Sequence, residues 1–137
     1  MDDVLLNKAA IIERCLHRIS EEYQGYENAL ETHYTKLDSI ILNLLRACEA
    51  SIDAAMHIVR IRKLGIPQQS RDAFKLLNDH GLLDDRLNKQ MQAMIGFRNI
   101  AVHNYQKMSL PILQSILENH LTDFQDFARL IVQIEGQ

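Results

Sequence analysis

The segment from Gly96 to Tyr105 holds most of the side chains with which this chain could do chemistry. It reads GFRNIAVHNY and brings together a guanidinium, an imidazole, two amides and a phenol. Arg98 offers a planar fork of donors that suits phosphate oxygens. Histidine is the side chain whose ordinary pKa lies nearest neutrality, so His103 can take and give a proton. This pair suffices for metal-free RNA cleavage, in which His103 moves the proton of the ribose 2′-oxygen or the leaving oxygen and Arg98 stabilises the phosphorane.

The spacing of the two residues sets a condition on any such site. On a straight helix His103 lies roughly 140° around the axis from Arg98, whereas Tyr105 lies within about 20° of it. Arg98 and His103 therefore cannot share one stripe of an ideal helix. Either the helix loosens after Arg98, or the site is assembled from two copies of the chain. We predict a homodimer with the site at its two-fold interface, where both residues appear twice.

Structural roles for the same residues remain open at this point. A single arginine and a single histidine near a helix end often cap carbonyls or form solvated surface. The phenol of Tyr105 could equally cap the core. The sequence alone does not decide between these structural roles and the catalytic role.

A second polar group lies on a longer helical segment. Glu49, Asp53 and His57 recur at intervals of four residues and so share one helix face. They could line the same cleft, with a carboxylate pairing with Arg98, or they could simply be solvated. A metal site needs several ligands that converge with open positions, which consecutive turns of one helix rarely supply. We predict no metal and no cofactor.

Three segments of the chain resemble the HEPN superfamily, and in particular its HepT-like branch. These are CEASIDAAMHIV, LGIPQQSRDAFKLL and GFRNIAVHNY, in that order. The last resembles the Arg-x4-His-x-Tyr motif of the superfamily, and the resemblance extends from about Asp3 to Ile134. It implies a metal-independent endoribonuclease that is the toxin of a type II/VII-like toxin–antitoxin pair.

The resemblance also implies roles for single residues and a partner. Arg98 and His103 would be catalytic, Asn99 would orient His103 or the phosphate, and Tyr105 would stack on a base or bind the phosphate. The partner would be a small nucleotidyltransferase antitoxin that inhibits the toxin by transferring AMP to Tyr105. Asn99 precedes His103 by four residues, so the two share a helix face.

A function of a different class is also compatible with the sequence. The same fold serves as an accessory module of nucleotidyltransferases, and a fold does not fix a function. The chain could thus be a non-catalytic helical module that binds or scaffolds such an enzyme, or a purely structural bundle. The intact set of Arg98, His103 and Tyr105 favours the nuclease.

Composition and charge limit the number of domains and the kind of RNA site that the chain can have. With 137 residues, 47% of them hydrophobic, we predict one folded domain over residues 1–137. A net charge of −3 argues against generic nucleic-acid binding, so an RNA site would need a local positive patch. Two sets of basic residues could supply that patch: Arg60, Arg62 and Lys63, and then Arg14, Arg18 and Arg46.

The cysteines, the lengths of the apolar runs and the acidic first residues favour a cytoplasmic protein. We predict that Cys15 and Cys48 are buried free thiols. No apolar run is long enough to cross a bilayer, and the acidic start Met1-Asp2-Asp3 lacks the features of a signal peptide.

Helical periodicity recurs along the whole chain and predicts an all-α bundle of about five helices. Helix starts are predicted at Asp2 or Asp3, at a capping box formed by Thr35 and Asp38, and at Ser70, Asp84 or Asp85, and Ser109. The second helix carries a regular apolar stripe from Leu37 to Val59 and is predicted to end in the run Lys63-Leu64-Gly65-Ile66-Pro67. Its small residues suit a central position: Ala47, Ala50, Ser51, Ala54 and Ala55. The last helix is predicted to run on to Ile134, with Asp123 and Asp126 on its surface.

Overall fold

A long helix at the centre of the fold contacts most of the others. The computed structural model describes residues 2–105 and 108–134. Within them the chain forms six α-helices: α1 Asp3–Tyr23, α2 Tyr34–Arg62, α3 Ser70–Asp79, α4 Asp85–His103, α5 Leu110–Asn119 and α6 Leu121–Val132. A short 3₁₀ turn, Leu30–Thr32, joins α1 to α2. The all-α fold class is confirmed.

Helix α2 is the central element because it packs against α1, α3, α4 and α6. Its predicted small residues are all buried and let these neighbours approach closely: Ala47, Ala50, Ser51, Ala54 and Ala55. The helix ends at Arg62, where Lys63 adopts the left-handed conformation and Leu64 N–H bonds back to the Val59 carbonyl. The stop that the sequence predicts after this helix is thus confirmed.

Most of the predicted helix starts are confirmed by side-chain caps. Asp2 accepts from the Leu5 N–H, Asp84 from the Leu87 N–H and Ser109 from the Ile112 N–H. The capping box predicted at Thr35 is wrong, because α2 begins one residue earlier and its N-cap residue, His33, makes no side-chain cap. The imidazole of His33 instead contacts the Ala29 carbonyl at 2.8 Å.

The structure has six helices where the sequence predicts about five, because the predicted last helix is divided in two. Helix α5 ends at Asn119 and α6 begins at Leu121, with His120 between them. His120 Nδ1 lies 3.0 Å from Asp123 Oδ2, and Arg86 of α4 donates to Asp123 Oδ1 at 2.9 Å. Asp123 is therefore buried, at 4% exposure, and its predicted surface position is wrong.

We expect Asp123→Ala to lower the free energy of unfolding by about 2 kcal/mol, since it removes a buried acceptor that two donors share. Asp126 contacts the same arginine at 3.2 Å but is 43% exposed at its side chain. Asp126→Ala is the matched control, with an expected loss below about 0.5 kcal/mol. Urea unfolding of the two variants tests this, and equal losses would contradict it.

Candidate active site

Helix α4 carries the motif without interruption. It remains α-helical from Asp85 to His103, and the N–H of Asn104 still bonds to the Ile100 carbonyl at 2.8 Å. The helix therefore does not loosen between Arg98 and His103, and that alternative is wrong. With regular geometry the two side chains leave the axis roughly 140° apart.

Arg98 points into the molecule, where two other helices hold its guanidinium. Nη1 donates to Glu49 Oε1 of α2 at 3.2 Å, and Nη2 donates to Ser70 Oγ of α3 at 3.3 Å. Nε is buried and has no hydrogen-bond partner in the described part of the chain. The pairing of a carboxylate with Arg98, one of the readings of the sequence, is confirmed for Glu49.

His103 and Asn99 lie on the opposite, exposed side of α4. Within residues 2–105 and 108–134 neither side chain makes a hydrogen bond or an ion pair. Ile100 and Val102 stand on either side of them and are 42% and 51% exposed. The imidazole is thus open to an incoming group, and the role of Asn99 in orienting it stays a prediction.

Tyr105 lies beyond the end of α4, so the assumption that it continues the Arg98 face is wrong. Its hydroxyl donates to the Asp38 carboxylate of α2. Burial first, and then the hydrogen bond to Asp38 and the negative charge of Asp38, together raise the pKa of Tyr105 to about 12. The phenol is therefore held neutral and oriented by a residue 67 positions away.

Helix α2 aligns the two ends of the motif. Asp38, which binds Tyr105, and Glu49, which binds Arg98, differ by eleven positions. On a regular helix this puts them within about 20° of each other and about 16 Å apart along the axis. One face of α2 therefore fixes both Arg98 and Tyr105, while His103 projects away from it.

The other two members of the predicted polar stripe have different partners. Lys8 donates to Asp53 at 3.3 Å. His57 Nε2 lies 2.8 Å from Asp2 Oδ2, and Arg60 donates to His57 Nδ1 at 2.9 Å. The hydrogen bond from His57 lowers the pKa of Asp2. Asp53 and His57 thus hold the start of α1, and their lining of a cleft stays a prediction.

The described residues contain no group of three histidine, cysteine, aspartate or glutamate side chains that could hold a metal ion. Both cysteines are buried and free, as predicted. Burial raises the pKa of the Cys15 and Cys48 thiols, which makes them poor nucleophiles at neutral pH.

Two residues contact the motif in ways that the sequence does not indicate. Ser70, a predicted helix start, is the first residue of α3, but its hydroxyl also accepts from Arg98. Asp38, predicted to be part of a capping box, accepts the hydrogen bond of Tyr105 instead. No local pattern marks either contact, because each depends on how α2 and α3 pack against α4.

Comparison with known proteins identifies the family of the chain. The model of the family described as "Ribonuclease HepT-like" matches residues 12–131. An mRNA nuclease HepT of Shewanella oneidensis is 46% identical over 131 residues, which cover 96% of this chain and 98% of that protein.

Solved structures show the same relationship. A tri-AMPylated Shewanella oneidensis HEPN toxin, in complex with an MNT antitoxin, superposes with a TM-score of 0.92 at 44% identity and covers 98% of this chain and 100% of its own. A toxin–antitoxin structure with AMP-PNP also has a TM-score of 0.92, at 43% identity, over 97% of this chain and 100% of its own.

Proposed function

The chain belongs to the ribonuclease HepT-like family, and from this premise we propose that it is an endoribonuclease that acts as the toxin of a toxin–antitoxin pair. The observation that carries the proposal is the state of the two motif residues. Glu49 and Ser70 fix the guanidinium of Arg98, whose side chain is 22% exposed, and His103 is exposed and makes no hydrogen bond or ion pair in the described part of the chain. We therefore propose that Arg98 binds the phosphodiester and that His103 carries the proton.

The proposed reaction needs no metal ion. The imidazole of His103 accepts the proton of a ribose 2′-hydroxyl while the 2′-oxygen attacks the adjacent phosphorus. The guanidinium of Arg98 stabilises the charge that develops on the non-bridging oxygens. The 5′-oxygen leaves with a proton from an imidazolium, and the products are a 2′,3′-cyclic phosphate and a 5′-hydroxyl.

We propose that the working form is a homodimer of a single domain spanning residues 1–137. One helix directs Arg98 and His103 apart, so a second copy is the simplest source of the opposite residue. The surface beside His103 suits such a partner, because Ile100, Val102 and Ile112 are all exposed. An apolar groove of about 340 Å³ between α4 and α5 includes Ile100 and Ile112 among its walls.

We propose that Tyr105 contacts the substrate and is also the residue that is modified. Tyr105 and Tyr34 are among the residues that line a groove of about 320 Å³, and Tyr34 is 73% exposed. Aromatic side chains at such a groove can stack on an unpaired base. We propose that this is how Tyr105 contributes to RNA binding.

The proposed partner is a nucleotidyltransferase antitoxin that transfers AMP from ATP to Tyr105. The phenolic oxygen would attack the α-phosphate, pyrophosphate would leave, and the carboxylate of Asp38 would accept the phenolic proton. The adduct would add negative charge and bulk at the mouth of the site and so repel RNA.

Because the proposed substrate is RNA, we propose that the protein acts in the cytoplasm. Separately, no helix within the described residues is long and apolar enough to cross a membrane.

RNA cleavage in the presence of EDTA tests the proposed function. The protein is purified without its partner and shown by mass to carry no adduct on Tyr105. We expect cleavage of single-stranded RNA at a rate that EDTA leaves unchanged, with 2′,3′-cyclic phosphate ends. No cleavage by this adduct-free protein would contradict the proposal and favour the non-catalytic scaffold module.

A further inference from the structure

A groove between α1 and α2 collects positive charge. It measures about 670 Å³ and has three arginines among its walls: Arg14, Arg18 and Arg46. These residues are also one of the two basic sets that the sequence offers as an RNA-binding patch. In a chain with a net charge of −3, three guanidinium groups around one groove are a local exception.

The positive charge of this groove is poorly compensated. Arg18 shares two glutamates of its own helix, Glu21 at 4.0 Å and Glu22 at 3.8 Å. Arg14 and Arg46 have no ion-pair partner within residues 2–105 and 108–134. Arg14 and Arg18 are four residues apart on α1, and like charges at that spacing destabilise a helix. Such an arrangement does not stabilise the fold, but it favours the binding of an anion.

The groove adjoins the candidate active site. Its acidic wall residue is Asp38, whose carboxylate already accepts the Tyr105 hydroxyl. Asp38 also lines the groove that holds Tyr105 and Tyr34, so one residue forms a wall of both. On α2, Arg46 lies between Asp38 and Glu49, the two residues that fix Tyr105 and Arg98. A chain bound at the arginines would therefore run past the motif.

We propose that the groove between α1 and α2 binds phosphodiester groups of single-stranded RNA and guides the strand past Tyr105. This inference rests on the proposed function. Arg14 and Arg46 supply the unpaired cations, and Ser39 and Asn43 add neutral polar groups to the walls. Leu42, which is 45% exposed, and Ile11 offer apolar surface for a sugar or a base. Arginines without paired carboxylates, next to a phenol, suit a nucleotide chain better than a peptide.

The test measures RNA affinity as a function of salt. The background is His103→Ala, purified without adduct on Tyr105, so that the RNA is not cut during the measurement. Fluorescence anisotropy with a short labelled RNA compares this parent with the added double substitution Arg14→Gln/Arg46→Gln. We expect affinity to fall about tenfold or more at low salt. The slope of log Kd against log salt should decrease by about 1.4, since each phosphate contact on a single strand contributes about 0.7.

Two further double variants serve as matched controls. Lys89→Gln/Arg129→Gln removes the same charge from exposed residues that do not line the groove, and it should leave the slope unchanged. Arg14→Lys/Arg46→Lys keeps both charges and should retain most of the slope. Because Arg14 and Arg46 form no ion pair within the described residues, Arg14→Gln/Arg46→Gln is not expected to lower the melting temperature, and circular dichroism separates a binding defect from misfolding.

Four outcomes would overturn the inference. The first is an equal loss of slope in both charge-removing doubles, which would show a general charge effect. The second is unchanged RNA affinity in Arg14→Gln/Arg46→Gln together with lost binding to the nucleotidyltransferase, which would assign the groove to the protein partner. The third is an absence of RNA cleavage by the adduct-free protein with His103 intact, which would remove the proposed function itself. The fourth is RNA cleavage by that protein together with equal RNA affinity in all the double variants. This result would reject RNA binding at the groove and leave the proposed function intact.

Discussion

His103→Ala is expected to reduce the rate of RNA cleavage by about 10²- to 10⁴-fold, the usual contribution of a positioned general acid or base. The side chain of His103 is exposed, and histidine is the residue type that most often serves as a general acid or base. Because it makes no hydrogen bond within the described residues, its removal should leave the free energy of unfolding within about 0.5 kcal/mol of the parent. RNA affinity should change little, since the loss concerns the proton transfer.

The matched control is His17→Ala on α1. His17 is also an exposed histidine, 76% exposed at its side chain, and it lies 3.8 Å from Glu21. Its replacement should leave the rate of cleavage unchanged. Single-turnover cleavage and urea unfolding of both variants give the comparison. A His103→Ala protein that keeps more than about a tenth of the parent rate would exclude a general acid or base role.

Arg98→Ala is expected to lower kcat by about 10²- to 10³-fold, as happens when a donor to a developing oxyanion is removed. Its guanidinium is fixed before substrate arrives, through Glu49 at 3.2 Å and Ser70 at 3.3 Å. The ion pair is partly exposed, 22% at Arg98 and 44% at Glu49, so its loss should cost less than about 1 kcal/mol of stability.

Arg98→Lys distinguishes the shape of the cation from its charge. Lysine keeps the positive charge but lacks the planar fork that reaches Glu49, Ser70 and a phosphate at once. We expect it to recover less than a tenth of the parent rate. The exposed Arg129→Ala on α6 controls for loss of a charge. Recovery to near the parent rate by Arg98→Lys would contradict the role of the fork.

The sequence predicts those parts of the fold that local patterns determine. The central position of α2 follows from its apolar stripe and small residues, and its end follows from the residues around Gly65. The caps at Asp2, Asp84 and Ser109 follow from the preference of short polar side chains for helix starts.

What the sequence missed depends on contacts between distant segments. No glycine or proline marks the break between α5 and α6 at His120. The break is stabilised by the buried Asp123, which accepts a hydrogen bond from Arg86 of α4. The contact of Tyr105 with Asp38 joins residues 67 positions apart. Periodicity reports which face of a helix is apolar, but not which neighbour supplies a donor or acceptor to it.

The geometry of α4 carries the central claim, that the site is shared by two copies of the chain. The helix is continuous from Arg98 to His103, so one chain presents these side chains on different sides. A two-fold axis beside the exposed Ile100 and Val102 would bring the Arg98 of one copy toward the His103 of the other.

Mixing two inactive proteins tests this claim most directly. Arg98→Ala and His103→Ala are each purified, combined in equal amounts, allowed to exchange subunits, and assayed for RNA cleavage. We expect activity to return to as much as about a quarter of the parent value, because half of the dimers are mixed and each keeps one of two Arg98–His103 pairs across the interface. A mixture that exchanges subunits and cuts no faster than either protein alone would show that Arg98 and His103 act within one chain, and would contradict the shared site.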